Sequence, residues 1–246
     1  MKTIVVANNK GGVGKTTIAS QIVYSLSERG HSVLGVDLDS QRNFSASFEG
    51  AKTLGNALDL VTRGEGVKAD LESGEIGVVT GHKDLQSQNA DDVMANVQAG
   101  LVGSSGADFC VVDTPPNFGE AVYGALIAAD YLLVPIELKK YSVDGIEGVL
   151  EALYAAQGVN PKLQLLGILP SRFDAVKQIE RDAMVQVAEA VGDLCVPYAI
   201  RNRTAYVVAQ EEGVPLAEVK TKSGKDAQEE FGQFFDWLYD KLGEGK

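Results

Sequence analysis

Lys10-Gly11-Gly12-Val13-Gly14-Lys15-Thr16-Thr17 lies between an apolar, strand-like run over residues 3–7 and an amphipathic stretch over 16–28. A strand, a glycine turn and a helix start, in that order, build a cradle for phosphate. The N–H groups of the turn converge on the anion, and the helix N-terminus adds a partial positive charge. In such a cradle Lys15 reaches the β- and γ-phosphate oxygens, and the Thr16 hydroxyl ligates Mg²⁺. All eight residues of the turn, from Lys10 through Gly11, Gly12, Val13, Gly14, Lys15 and Thr16 to Thr17, are therefore expected to contact nucleotide.

The common form of this motif, G-x-x-x-x-G-K-[ST], asks for glycine at position 9. This chain has Asn9 there and a second lysine, Lys10, next to it. The variant K-G-G-x-G-K-T resembles the deviant Walker A box of the ParA/MinD superfamily of P-loop ATPases. The resemblance implies a homodimer formed on ATP binding, in which Lys10 reaches phosphate held by the partner subunit. With Lys15 it would belong to the catalytic set.

Composition narrows the field. The chain has 246 residues, 45% of them hydrophobic, enough for a substantial core and compatible with a single domain over 1–246. No stretch reads as a membrane span, and Met1-Lys2 runs straight into the first strand, leaving no room for a secretory signal. Cys110 and Cys195 sit in apolar, strand-like surroundings, as expected of buried thiols in a reducing cytoplasm. They do not match the cysteines that the nitrogenase iron protein, a relative in the superfamily, uses to hold its cluster. His31 and His82 are far apart in turn-like contexts and read as surface residues. The net charge of −12 opposes tight, obligate binding to nucleic acid or anionic lipid, though not a local basic patch.

Apolar runs alternate with amphipathic ones, which predicts an α/β fold: a mainly parallel twisted sheet with helices on both faces. Strands are expected over 3–7, 32–36, 76–80, 109–113, 131–136 and 163–169, with a short one opening at 194–196 and cut by Pro197. Helices are expected over 16–28, from about 53, and over 84–102, 143–156, 175–191 and 225–242.

Two acidic boxes follow strands, where the carboxyl ends of a parallel sheet form a ligand crevice. Val36-Asp37-Leu38-Asp39-Ser40-Gln41-Arg42-Asn43 resembles the switch I box of ParA proteins, V-D-x-D-P-Q-G-N, with Ser40 and Arg42 in place of proline and glycine. By that resemblance Asp39 positions the hydrolytic water and Asp37 lies in the outer shell of the metal. Val112-Asp113-Thr114-Pro115-Pro116-Asn117 is a buried strand ending in aspartate, a Walker B arrangement in which Asp113 would hold Mg²⁺ through water or fix the water on it. Its D-T-P-P resembles the family's switch II. Weaker likenesses are Val134-Pro135-Ile136-Glu137 with Ser142-Val143-Asp144-Gly145, and Val196-Pro197 through Gly213-Val214-Pro215-Leu216. Arg172 and Pro197 are candidates for the adenine pocket. No N-K-x-D guanine motif appears, so ATP with Mg²⁺ is expected rather than GTP.

What the ATPase drives divides into three readings. A partition ATPase would bind non-specific DNA as its ATP dimer and be stimulated by a ParB-like adaptor, with weak basal turnover. It would be cytoplasmic and associated with the nucleoid in the ATP state. Arg201, Arg203 and Lys222 are its candidate DNA contacts, in a stretch that also holds Lys220 and Lys225 but is interrupted by Glu211, Glu212 and Glu218. A MinD-like membrane ATPase would end in a basic amphipathic helix. Here Phe231, Phe234, Phe235, Leu238 and Leu242 form an apolar stripe, yet Glu229, Glu230, Asp236 and Asp240 make the other side acidic, and docking on the domain's own core is expected instead. A ParA relative that positions a protein cargo would share the same nucleotide chemistry.

Overall fold

Ile4 and Val6 face one way from the first strand and Val5 and Ala7 the other, and all four are buried, so this strand is covered on both sides. The computed structural model describes residues 1–88, 90–138 and 142–245, with the side chains of 90, 91 and 142–145 outside the description. The Ser142-Val143-Asp144-Gly145 box falls on those side chains. In chain order the elements are β1 (Lys2–Val6), α1 (Lys15–Glu28), β2 (Val33–Asp37), β3 (Lys52–Asn56), α2 (Ala57–Arg63), β4 (Ile76–Thr80), α3 (Ala90–Gly103), β5 (Phe109–Asp113) and α4 (Glu120–Ala128). There follow β6 (Tyr131–Glu137), α5 (Ser142–Val159), β7 (Gln164–Phe173), α6 (Gln178–Val191), β8 (Ile200–Arg201), α7 (Thr204–Glu212) and α8 (Lys222–Lys241).

The strands form one parallel sheet in the order β3-β4-β2-β5-β1-β6-β7-β8. Helices α2 to α6 pack on the face carrying Val5, Leu34 and Val112, and α1, α7 and α8 on the face carrying Ile4, Val33 and Phe109. From β1 the chain runs to β2 on one side and later to β6 on the other, so the carboxyl end of β1 lies at a topological switch point. In register, Val6 and Asp37 both lie opposite Asp113, which brings both acidic strand ends level with the start of the glycine turn.

Several local expectations change. No helix begins at 53: Thr53 pairs with Val78 in β3, and the helix starts only after Asn56, whose side chain accepts the Leu58 and Asp59 N–H groups. Residues 83–87 form a separate 3₁₀ turn before α3, capped by His82. Cys195 makes only an isolated bridge to Ile168 after a 3₁₀ turn, and the last strand is at 200–201. Helices α4 and α7 were not apparent in the sequence; α4 carries too few polar residues to show a 3.6 period, because Val122, Ala125 and Leu126 are all buried. Helix α8 begins at Lys222, where Thr221 accepts the Gly224 N–H. Its apolar stripe, Phe231, Phe234, Phe235 and Leu238, continues to Leu242 and is buried in the core. His31 is half-buried rather than free on the surface: it packs edge-on against Phe109 at 4.9 Å and bonds the Tyr239 hydroxyl at 2.8 Å. Among the described residues no helix is long and apolar enough to cross a membrane.

Candidate functional site

The glycine turn closes because Gly12 and Gly14 take φ of 75° and 89°, conformations that side chains resist, and α1 starts at once with Lys15. Asn8 fixes the entry. Its amide nitrogen donates to the Pro135 carbonyl at 2.7 Å and its oxygen accepts the Lys10 N–H at 2.9 Å. The Lys10 residue is exposed, whereas Lys15 is buried and donates to the Lys10 carbonyl at 3.0 Å. Burial lowers the Lys15 pKa from its ordinary value, against the opposing pull of Asp113 and Asp39.

The Thr16 hydroxyl donates to Asp113 Oδ2 at 2.8 Å, while Asp113 Oδ1 is buried with no hydrogen-bond partner among the described residues. Burial, then the neighbouring Asp37, pushes the Asp113 carboxyl up to about 8. Asp37 is also raised by burial, though both its oxygens are used: one accepts the Asp39 N–H at 3.0 Å, the other the Ser45 N–H and hydroxyl at 2.8 Å each. Asp37 therefore organises the 37–45 loop, and Asp113 is the acid left with an open valence. Asp39 is half-buried and lines the cavity over the turn with Lys15 and Thr16.

A divalent cation fits here. A buried carboxylate oxygen without a donor is costly, and a cation beside it removes the cost. The Thr16 hydroxyl and Asp113 would hold it, Asp113 directly or through water, with Asp37 behind. Among the described residues no three acidic, histidine or cysteine side chains could hold a metal by themselves, which suits an ion completed by phosphate and water. Because the folded carboxyl is raised, the folded chain holds a proton that the unfolded chain has already lost. Stability without metal is then greatest below the unfolded carboxylate pKa and falls as pH rises through about 8. We expect Asp113→Asn to flatten that fall and to raise stability at pH ~8 by roughly 1–3 kcal/mol, read as Tm against pH without nucleotide.

The cavity over the turn has a volume of about 570 Å³ and runs into a second of about 370 Å³. The second is walled by Ile18, Ser171, Arg172, Ile200, Tyr206 and Val207. Gly14, Thr17, Asn43, Arg172, Gln210 and Glu211 line both. Together they have the size and lining of a nucleotide site. Arg172, at φ 55°, donates from Nη1 to the Gly12 carbonyl at 2.8 Å and so bridges the two. Pro197 is not brought into either; it lines a different hollow with Tyr198, Arg203 and Glu230. Asn8 and Gln210 have no signal in the sequence, and Asn43 enters it only as part of a box. Asn43 is the last residue of the acidic box, but nothing marks Gln210 while α7 itself is unseen.

The basic candidates separate. Arg203 is mostly buried and bonds Asp226 at 3.2 Å and Glu230 at 3.3 Å. Arg201 is half-exposed, with Nε 3.5 Å from Glu230. Lys222 is exposed at the start of α8.

A family profile described as an AAA domain matches residues 1–165. Protein IncC of Escherichia coli is 32% identical over 98% of this chain and 70% of its own length. The chromosome-partitioning ATPase Soj of Thermus thermophilus is 32% identical over 82% of this chain and 83% of its own. Among solved structures, an ATP complex of an McdA variant from Cyanothece superposes with a TM-score of 0.78 at 23% identity, covering 100% of this chain and 98% of that one. The chain belongs to the ParA-type partition ATPases of the ParA/MinD superfamily, P-loop enzymes that hydrolyse ATP.

Proposed function

We propose that the chain is an ATP-operated switch for DNA partition. Mg²⁺-ATP draws two copies together, the dimer holds non-specific DNA, and a ParB-like adaptor triggers hydrolysis and release in the cytoplasm, over the nucleoid. The observation that carries this reading is the open Asp113 oxygen beside Thr16, under a turn bearing Lys10 and Lys15. That is a site built for a metal-bound triphosphate. Bound Mg²⁺ would neutralise charge on the phosphates. Lys15 would bind their oxygens, Asp39 would orient the attacking water, and Lys10 would reach the partner's phosphates. Arg172 and the apolar wall of the second cavity would hold the base.

DNA contact is assigned to the exposed cations. Arg203 is committed to Asp226 and Glu230, so removing it unpairs carboxylates rather than baring a surface. Arg203→Ala is expected to cost about 2 kcal/mol of stability, read by denaturant unfolding. Lys222 and Lys225 are exposed, and two copies in a dimer double the patch. The double change Lys222→Glu with Lys225→Glu should weaken ATP-dependent DNA binding by about tenfold or more, and the loss should shrink as salt rises. ATPase activity without DNA should be untouched.

One experiment tests the whole reading: purified protein with ATP or ADP, offered non-specific duplex DNA and anionic liposomes in parallel. DNA retention with ATP alone supports partition. Retention on liposomes instead would overturn it, and the burial of the α8 apolar stripe argues against that outcome.

A further inference from the structure

Ser47, four residues beyond the acidic box at 36–43, is gripped from three sides. Its carbonyl accepts from the Tyr24 hydroxyl of α1. Its own hydroxyl donates to the Asn43 carbonyl at 3.0 Å and accepts from the Gln210 amide of α7. That same amide nitrogen donates to the Asn43 carbonyl at 3.0 Å. Gly213, which caps α7 at φ 62°, packs so closely that an added Cβ would lie 3.2 Å from the Ser47 carbonyl oxygen. Ser45 is tied back to Asp37 at the start of the loop. Asp39 to Arg42 are strung between Asp37 and the Asn43–Ser47 anchor, and Asp39 and Asn43 line the phosphate cavity.

The orientation of the Gln210 amide is fixed by chemistry. A backbone carbonyl only accepts, so the nitrogen must face Asn43. The consequence is that Gln210 Oε1 is buried with no donor. A buried acceptor left unpartnered is unfavourable. It persists here because the nitrogen is held on switch I.

We propose that Gln210 is a positioning residue for ATP hydrolysis: by fastening Asn43 and Ser47 to α7, it holds switch I so that Asp39 faces the phosphates. This rests on Asp39 as the acid that orients water. Asn43 and Gln210 both border the second cavity. Arg42 supplies an internal reporter. Its side chain is exposed and its φ is 60°, but its N–H donates to the Asp39 carbonyl at 3.1 Å and its own carbonyl accepts the Ala46 N–H at 3.1 Å, so tryptic cleavage after it requires those backbone bonds to open.

The test measures steady-state ATPase and tryptic cleavage after Arg42 in Gln210→Met and Gln210→Glu, with Asp39→Ala alongside. Met keeps the bulk but has no donor; Glu keeps acceptors but loses both donated bonds. In both we expect kcat to fall about tenfold and cleavage after Arg42 to quicken about tenfold, the scale of the bonds removed; the ATP KM should stay within about twofold in the uncharged Gln210→Met and rise in Gln210→Glu, whose carboxylate borders the phosphate cavity. A merely structural role would move Tm without that split between kcat and KM. Unchanged kcat in both variants beside an inactive Asp39→Ala overturns the proposal while leaving the role of Asp39 intact. A drop in kcat without faster cleavage also overturns it. Turnover that survives in Asp39→Ala sinks the assignment of Asp39, and the proposal with it.

Discussion

Lys15→Ala is expected to all but abolish ATP binding, a loss of about 30- to 5,000-fold in affinity. The figure follows from removing one partner of a desolvated charge pair, which costs roughly 2–5 kcal/mol. Lys15 is buried at the head of α1, and its Nζ rests on the Lys10 carbonyl, 3.0 Å away. The ammonium is thus already at the loop, and little reorganisation separates that contact from one to a phosphate oxygen. Neither Thr16 nor the backbone N–H groups can replace a full positive charge there. Lys10 does not compensate if it serves the partner's phosphates. Since burial holds the Lys15 pKa below its ordinary value, affinity in the wild type should decline at a lower alkaline pH than a free lysine would impose. At the other end, Asp113 must lose its proton before Mg²⁺ can take its free oxygen, so Mg²⁺-ATP affinity should climb as pH approaches about 8. Titration of a fluorescent ATP analogue against wild type and variant, across pH, reads both limbs. An affinity for Lys15→Ala equal to wild type, in a protein with unchanged circular dichroism, would remove the cradle from the argument.

The parts of this molecule that were legible in the sequence are those where chemistry is local. A glycine turn between a strand and a helix declares itself because φ near +80° at Gly12 and Gly14 and a helix N-terminus are properties of eight consecutive residues. Asp37 and Asp113 were found because each ends an apolar strand; that they lie level with each other is a matter of register, which no local pattern encodes. The Asn56 cap shows how a single side chain decides between strand and helix where the apolar spacing of Leu54, Leu58 and Val61 suits a helix throughout. The pairing of Arg203 with Asp226 and Glu230 joins residues more than twenty positions apart, so a basic stretch in the sequence became a largely neutralised one in space. Gln210 is 163 residues from Ser47. Its relation to the phosphate site exists only once α7 is laid against switch I, and nothing in its sequence neighbours points there.

Asp39→Ala should separate binding from hydrolysis. Unlike Asp37 and Asp113, Asp39 is half-exposed, and one of its oxygens accepts the Gln41 N–H at 3.0 Å, two residues along. Removing it leaves the Thr16–Asp113 pair, Lys15 and both glycines where they are, so the triphosphate keeps its cradle. Its charge also contributes, as a lesser cause, to raising the carboxyls of Asp37 and Asp113. Without it Asp113 ionises more readily, and Mg²⁺-ATP affinity should be equal to or slightly tighter than that of wild type. Hydrolysis should behave in the opposite way. A side chain that orients or deprotonates the attacking water contributes about 10²–10⁴ in rate, and kcat should fall by that amount. ATP that binds but does not turn over should hold the chain in its dimeric state, so gel filtration with Mg²⁺-ATP would show a dimer in Asp39→Ala that persists where the wild type decays to monomer. The two readouts guard each other. Loss of turnover with loss of binding would mean that Asp39 shapes the cradle rather than the water, and wild-type turnover would transfer the catalytic role to another acid on the same rim.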